Sequence, residues 1–174
     1  MLRASHVAAA LALLTACSTP AVAQGWEVAG RVVHVQDGDT LTILDEGRRQ
    51  HKIRLSGIDA PELGQPFGRS SRRVLVDLAV GRQAAATCHK RDRYEREVCT
   101  VSVDGVDVGQ QIVGEGMAWV FTRYAGELPR QQRLAYQAGQ EAARAGRTGL
   151  WADAEPVAPW DWRKAHTRGK GDAG

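Results

Sequence analysis

Three segments near the start of the chain carry apolar residues at alternate positions, which is the period of a strand with one buried face. Two of them cover residues 28–35 and 41–44, and Ile53 and Leu55 anchor the third. Arg54 lies between these two residues and must therefore point to the opposite face of its strand. The pattern predicts a meander of three antiparallel strands.

The apolar spacing becomes helical after the third strand. Residues 69–80 predict a helix that ends at Gly81, and residues 107–115 predict a short one. Residues 129–145 predict a longer helix that ends at Gly146. The residues of its expected apolar stripe are Leu134, Ala135, Ala138 and Ala142.

Residues 84–103, which follow the first predicted helix, have the pattern of a hairpin of two further strands. The hairpin is centred between Arg93 and Tyr94, and the sequence Asp104-Gly105 turns the chain back. Five strands with helices on one side and at one end form a small β-barrel of the α+β class. Barrels of this kind commonly carry nucleic-acid or sugar ligands.

The first 23 residues have the pattern of a secretory signal peptide. Arg3 precedes the apolar run 7–16, and residues 21–23 form an A-x-A cleavage site that ends at Ala23. The run is too short to span a bilayer, which takes about 20 residues. We expect an exported protein, either periplasmic or secreted. The alternative is a lipobox, in which Cys17 is lipidated and anchors the protein to a membrane.

The charge of the chain is mildly basic. The 174 residues include 23 Lys and Arg and 20 Asp and Glu, a formal net charge of +3. Cleavage after Ala23 removes Arg3 and no acid, which leaves 22 basic against 20 acidic residues, a net charge of +2. This charge favours a polyanionic partner without identifying one. The length suits one domain.

Two cysteines remain once Cys17 is removed or modified. In a hairpin centred between residues 93 and 94, Cys88 and Cys99 lie opposite each other, because each is equally far from the turn. An oxidising compartment favours a disulfide between them. The alternative is a pair of buried free thiols.

Three separated motifs contain the candidate chemistry: QDGDT at 36–40, IRLSGIDAPE at 53–62 and DRYER at 92–96. Each is weak by itself. Asp37 and Asp39 could each cap a turn, and a lone strand arginine such as Arg54 is usually solvated.

In this order the three motifs resemble those of the staphylococcal nuclease, or thermonuclease, family. The resemblance runs from about Gly30 to Trp151, and the tail at 149–164 resembles that of bacterial members. It implies a five-stranded OB-fold barrel with about three α-helices, and calcium-dependent cleavage of DNA and RNA at a site on the flank of the barrel.

The resemblance also implies a metal site. Asp39 and Asp59 are expected to bind Ca²⁺ together with the backbone carbonyl of Ala60. Calcium takes carboxylate, carbonyl and water oxygens at irregular geometry, so these residue types suit it. Asp37 is expected to orient the turn or a water molecule bound to the ion.

The remaining family positions serve the reaction and the nucleotide. Glu62 matches the glutamate that activates or orients the attacking water. Arg54 and Arg96 match the arginines that hold the phosphate, since a guanidinium fork fits two phosphate oxygens. Tyr94 and Tyr124 match tyrosines that contact the nucleotide, although each could be an ordinary half-buried aromatic residue.

Two positions depart from the family pattern. Glu95 stands where members usually have glycine, which puts a carboxylate beside Arg96. Thr122, next to Phe121, stands where the prototype has a second tyrosine near Tyr124. We therefore expect the turn that holds Arg96, and the stacking of bases, to differ from the prototype.

On this interpretation residues 1–23 are the signal peptide, 24–160 the nuclease domain and 161–174 a tail whose last eight residues are disordered. The alternative function is a non-catalytic nucleic-acid-binding OB-fold module. Carboxylates facing a polyanion gain nothing for binding alone, so Asp39, Asp59 and Glu62 favour the enzyme. The expected partner is DNA or RNA, with a monomeric protein and no obligate protein partner.

Overall fold

The computed structural model describes residues 25–168. The predicted signal peptide, the lipobox at Cys17 and the end of the predicted tail at 169–174 lie outside this range. Between residues 25 and 168, no helix combines the length and the apolar character that crossing a membrane requires.

Five strands close into the predicted barrel. They are connected in the order β3 (Gln50–Leu55), β2 (Thr40–Leu44), β1 (Trp26–Val35), β5 (Gln83–Arg91) and β6 (Glu97–Val103), and a parallel pairing of β3 with β6 joins the two ends. The OB-fold barrel of the α+β class is therefore confirmed. In the described part of the chain the strands are β1 (Trp26–Val35), β2 (Thr40–Leu44), β3 (Gln50–Leu55), β4 (Ile58–Asp59), β5 (Gln83–Arg91), β6 (Glu97–Val103), β7 (Val106–Asp107) and β8 (Trp119–Val120).

Buried and exposed residues alternate along the barrel strands, and the buried ones fill the interior. The alternation is interrupted in β1. Val32 and Val35 are both buried although they are three residues apart, an odd spacing that would place them on opposite faces of a regular strand. The pairing of β1 with β2 shifts register between Val32 and His34, and this bulge returns Val35 to the interior. Val33, which follows the buried Val32, points outward by the ordinary alternation of a strand and is 37% exposed.

Three predicted helices are present within two residues of their expected ends, and two further helices were not predicted. Asp107 caps the second helix through its side chain, which accepts a hydrogen bond from the backbone N–H of Gln110. Within residues 25–168 the helices are α1 (Gly68–Ala79), α2 (Val108–Gly114), α3 (Thr122–Ala125), α4 (Arg130–Ala145) and α5 (Pro159–Arg168), with a 3-10 turn at Gly149–Ala152.

The predicted apolar stripe of α4 is wrong. Leu134 is 47% exposed, whereas Tyr136 and Ala143 are the buried residues of this helix. Tyr136 is buried because its hydroxyl donates to Asp107 at 2.8 Å, which satisfies the polar end of the side chain inside the protein. A buried hydrogen-bonded tyrosine thus sets the face that α4 turns to the core.

An aromatic cluster fixes the C-terminal helix α5 to the domain. Trp160 stacks on Phe121 with ring centroids 5.1 Å apart, and its edge meets Trp119 at 5.7 Å. Trp119 also contacts Trp151 at 4.3 Å. The expected domain boundary at residue 160 therefore falls within a helix that packs on the barrel domain.

The predicted disulfide between Cys88 and Cys99 is present. The two residues are direct partners in the pairing of β5 with β6, as the hairpin arithmetic required, and both are fully buried. A register shift between Cys88 and Lys90 follows the bridge, so that Arg91 pairs with Glu97 at the end of the hairpin. This bulge changes the strand register just before the turn at 92–96.

Gly139 offers a stability test of the packing between α2 and α4. A Cβ there would lie 3.7 Å from Gly114, an ordinary contact, and alanine is about 1 kcal/mol better than glycine in a helix interior. We expect Gly139→Ala to raise the free energy of unfolding by about 0.5–1 kcal/mol in denaturant titrations.

Gly109→Ala is the matched control for this prediction. Its Cβ would lie 2.5 Å from the buried Tyr136 hydroxyl, so this variant should be destabilised. Destabilisation of Gly139→Ala as well would contradict the packing described here.

Candidate active site

Every residue that the sequence analysis assigned to the reaction, the metal or the nucleotide lies around one open cavity of about 720 Å³ on the flank of the barrel. The structure thus brings together side chains that are up to 87 positions apart, Asp37 and Tyr124 being the outermost. The predicted residues that line the cavity are Asp37, Asp39, Arg54, Asp59, Ala60, Glu62, Tyr94, Arg96 and Tyr124.

The turn between β1 and β2 explains its paired carboxylates. Asp37 accepts a hydrogen bond from the backbone N–H of Asp39 at 3.1 Å, which shapes the turn. Asp39 reaches across and accepts from the backbone N–H of Ala60 at 2.8 Å. Gly38 packs against Ser71 and Ala60 so closely that a Cβ has no room. One acid therefore builds the turn and the other faces the site.

Arg54 joins the two buried acids. Its Nη2 lies 3.1 Å from Asp39 Oδ2 and donates to Asp59 Oδ1 at 2.9 Å. Asp39 is 6% exposed and Asp59 is 2% exposed, so both carboxylates are almost removed from water. Buried carboxylates need such a partner, because an unpaired buried charge is strongly unfavourable.

Burial and the charge of Asp39 raise the pKa of two carboxyl groups of the site. Burial raises the pKa of Asp37 to about 6, and the neighbouring charge of Asp39 adds to the effect. Burial also raises the pKa of Asp59. The hydrogen bonds from Arg163 lower this pKa, and the charge of Asp39 raises it. A further cation placed among these carboxylates would therefore be stabilised.

The donor groups fit a hard divalent cation, with one obstacle. Asp39, Asp59 and the carbonyl of Ala60 offer only oxygen atoms, which suits calcium or magnesium. Across residues 25–168, however, no group of three or more His, Cys, Asp or Glu side chains is arranged to hold a metal. The oxygens of Asp59 are instead occupied by the guanidinium groups of Arg54 and Arg163.

Arg96 is held in place by Asp92, a residue that the sequence analysis did not assign. Arg96 donates from Nε to Asp92 Oδ2 at 2.8 Å and from Nη1 to Thr40 Oγ1 at 3.2 Å. Although burial acts in the other direction, hydrogen bonds from Arg96 and from backbone amides lower the pKa of Asp92. Asp92 thus stays ionised and fixes the guanidinium. The DRYER motif contained this residue, and its position at a turn was the available signal.

The turn that carries Arg96 holds Glu95 in a left-handed conformation, with φ at 60°. Only glycine adopts this conformation without steric cost, which explains the usual glycine of the family at this place. The structure accommodates the departure, and the backbone N–H of Glu95 still donates to the Asp92 carbonyl at 3.0 Å.

Two tyrosines form the exposed rim of the cavity. Tyr94 is 62% exposed and packs under the guanidinium groups of Arg93 and Arg96, at 4.8 and 5.4 Å from the ring centre. Tyr124 is 39% exposed and lies beneath the Lys90 ammonium at 4.6 Å. Tyr94 is therefore mostly exposed, whereas Tyr124, which is 39% exposed with Lys90 over its ring, is closer to the half-buried alternative considered for it.

Glu62 and Arg163 complete the site. The Glu62 side chain is 42% exposed and accepts from Arg163 Nη1 at 2.7 Å. Arg163 belongs to α5 and also donates to Asp59 Oδ2 at 2.7 Å from Nη2. Arg163 is not among the predicted site residues, because it belongs to the segment whose sequence predicts a tail. Its only signal was its place in the tail that resembles bacterial family members.

A family model for the staphylococcal nuclease homologue matches residues 52–153. The chain belongs to the staphylococcal nuclease family. A micrococcal nuclease of Shigella flexneri is 37% identical over 168 residues, which cover 91% of either chain. An uncharacterized endonuclease of Escherichia coli O157:H7 is 41% identical over 140 residues, 79% of this chain and 86% of the relative. One from Haemophilus influenzae is 38% identical over 134 residues, 77% and 72% respectively.

The left-handed Glu95 generates a stability prediction for this family member. Glu95→Gly should raise the free energy of unfolding by about 0.5–1 kcal/mol, because relief of the steric cost exceeds the extra freedom of the unfolded chain. Arg48→Gly is the control, since its φ of 62° lies in a turn outside the cavity. Thermal and denaturant unfolding measure both variants, and a less stable Glu95→Gly would show that the Glu95 side chain holds the turn.

Proposed function

We propose that this nuclease hydrolyses phosphodiester bonds of DNA or RNA outside the cytoplasm and that it uses Ca²⁺. The observation that carries the proposal is the joint arrangement of two arginines, two buried aspartates and an exposed glutamate around one open cavity. Hydrolysis of a phosphodiester needs groups that bind its anionic oxygens and a group that activates water, and these side chains supply both.

Arg96 is the phosphate-binding residue with the best-defined position. Asp92 holds it on one side, and Thr40 accepts one of its Nη1 hydrogens on the other. A guanidinium fixed in this way needs little reorganisation as negative charge develops on a phosphate oxygen. Arg54 provides a second guanidinium at the base of the cavity, between Asp39 and Asp59.

Glu62 is the proposed base. Its side chain is 42% exposed, whereas Asp39 and Asp59 are buried. A general base must reach the water whose proton it accepts, so exposure to the cavity favours Glu62 over the two aspartates.

The proposed calcium site uses Asp39, Asp59 and the carbonyl of Ala60. The oxygen donors support it, as does the closeness of the carboxylates of Asp39 and Asp59, which share the Arg54 guanidinium. Bound there, Ca²⁺ would neutralise phosphate charge and polarise a phosphate oxygen as a Lewis acid. The choice of calcium over magnesium rests on the resemblance to the staphylococcal nuclease family, since two carboxylates and a carbonyl suit either ion.

The substrate is proposed to contact the exposed rings of Tyr94 and Tyr124. A flat aromatic surface beside a cationic groove suits the bases and backbone of a nucleic-acid strand without selecting a sequence. The acids at the bottom of the same cavity argue against the alternative, a binding module without activity, because they repel the phosphates that such a module must attract.

Circular single-stranded DNA tests the activity and the ion together. We expect linear fragments in the presence of Ca²⁺ and intact circles in the presence of a chelator. If the protein binds the DNA circles but leaves them intact with every divalent cation, the result would instead establish the binding module.

Glu62→Gln tests the proposed base. It keeps the size and the hydrogen-bond acceptor of the side chain, so DNA binding should persist while kcat falls by about 10² to 10⁴-fold. Glu46→Gln, at an exposed turn outside the cavity, is the matched control and should behave as the parent does. Single-turnover rates at saturating enzyme separate chemistry from product release, and an unchanged rate for Glu62→Gln would remove it from the base role.

The proposal of export rests on the predicted signal peptide. The disulfide between Cys88 and Cys99 supports it, because disulfides persist in oxidising compartments. We expect the protein recovered from the producing cells to lie in the periplasm or medium and to begin at Gln24. A mass that includes a lipid on Cys17 would select the anchored alternative, and a reduced, full-length chain in the cytoplasm would contradict export.

A further inference from the structure

Arg163 makes three contacts with the acids of the site. Its Nη1 lies 2.7 Å from Glu62 Oε1 and 3.3 Å from Asp59 Oδ1, and its Nη2 lies 2.7 Å from Asp59 Oδ2. The guanidinium therefore faces both oxygens of Asp59 and also bridges to Glu62. Paired hydrogen bonds of this kind are among the strongest that side chains form.

The position of Arg163 is determined by the packing of α5. Trp160, three residues earlier, stacks on Phe121, and the Gln65 side chain donates to the carbonyl of Val157 at 2.6 Å just before the helix. Gln65 in turn accepts from the backbone N–H of Glu62. The segment that carries Arg163 is thus attached to the loop that carries Glu62, which makes the contact a built part of the site.

The two arginines on Asp59 differ in how easily they can leave it. The Arg54 side chain is 13% exposed and is also held by Asp39 and by the carbonyl of Leu55. The Arg163 side chain is 43% exposed and reaches the site from the solvent side. A guanidinium with access to water loses little when it gives up one carboxylate, so Arg163 is the partner that can be exchanged.

A divalent cation bound by Asp59 would compete with this guanidinium. The ion needs an Asp59 oxygen, and a positive charge within hydrogen-bonding distance of that oxygen repels it. Resting on the calcium site of the proposed function, we propose that Arg163 is a positioning residue that holds Asp59 and Glu62 in the ion-free enzyme and yields Asp59 to the ion. The presence of Arg163 then sets the ion concentration at which the site fills. Glu62 stays within reach of the Arg163 guanidinium.

Calorimetric titration of Ca²⁺ into the chelator-treated protein tests this inference without measuring activity. Removal of the competing charge in Arg163→Gln should tighten Ca²⁺ binding by about tenfold. Lys164→Gln is the matched control, since it removes the same charge from an exposed position next to Arg163 on α5. Its affinity should stay within about twofold of the parent, because an exposed charge is screened by solvent and salt.

A second readout is thermal unfolding with and without Ca²⁺. Arg163→Gln leaves Asp59 with one guanidinium, so its ion-free Tm should fall, while the rise in Tm on adding Ca²⁺ should be larger than in the parent. If Arg163→Gln does not fold, Arg163→Lys keeps the charge but loses the fork, and it should bind Ca²⁺ a few-fold tighter.

The outcomes separate this inference from the proposed function. Equal or weaker Ca²⁺ binding by Arg163→Gln, with the parent binding normally, overturns the inference alone. Asp39→Asn should abolish binding in both backgrounds, which ties the signal to this site. No Ca²⁺ binding by any variant would overturn both the calcium site and the role of Arg163.

Discussion

The contact on which the site depends is the sharing of one guanidinium, that of Arg54, by the buried carboxylates of Asp39 and Asp59. Effective desolvation penalties for such ions are still several kcal/mol each, so the two acids would repel and protonate without a cation between them. The barrel supplies that cation through simple strand geometry. Ile53 and Leu55 are buried, and the residue between them must emerge on the other face of β3, under the turn that carries Asp39.

The closure of the barrel then brings Arg96 to the same place. The parallel pairing of β3 with β6 aligns Ile53 with Glu97, and Arg96 immediately precedes this pair. Its Nη1 consequently reaches Thr40, the residue opposite Arg54 in the pairing of β2 with β3. Arg54 of β3 and Arg96, which directly precedes β6, thus both lie next to Thr40 because the barrel is closed, and an open sheet would separate them.

Local patterns were sufficient for most of the scaffold and for the family motifs, since strand period, helix period and turn residues are properties of neighbouring positions. They failed where a distant contact decides the outcome. The buried face of α4 follows from the bond between Tyr136 and Asp107, 29 residues apart, and the burial of Val35 follows from a bulge that the partner strand defines. Arg163 is the strongest case, because it meets Asp59 over 104 residues and no spacing rule relates the two.

The three arginines of the site are therefore not equivalent, and the difference lies in what else holds each of them. Arg54 is buried between its acids, and Arg96 is fixed by Asp92, which is itself part of the same turn. Arg163 donates its hydrogen bonds to Asp59 and Glu62, which are themselves acids of the site. Among the groups described here, Arg163 is thus the one that an incoming divalent cation would replace. The ion would supply a positive charge where the guanidinium had supplied one. Because Arg54 stays between Asp39 and Asp59, the exchange proposed for Arg163 would involve no step in which the two buried acids face each other alone.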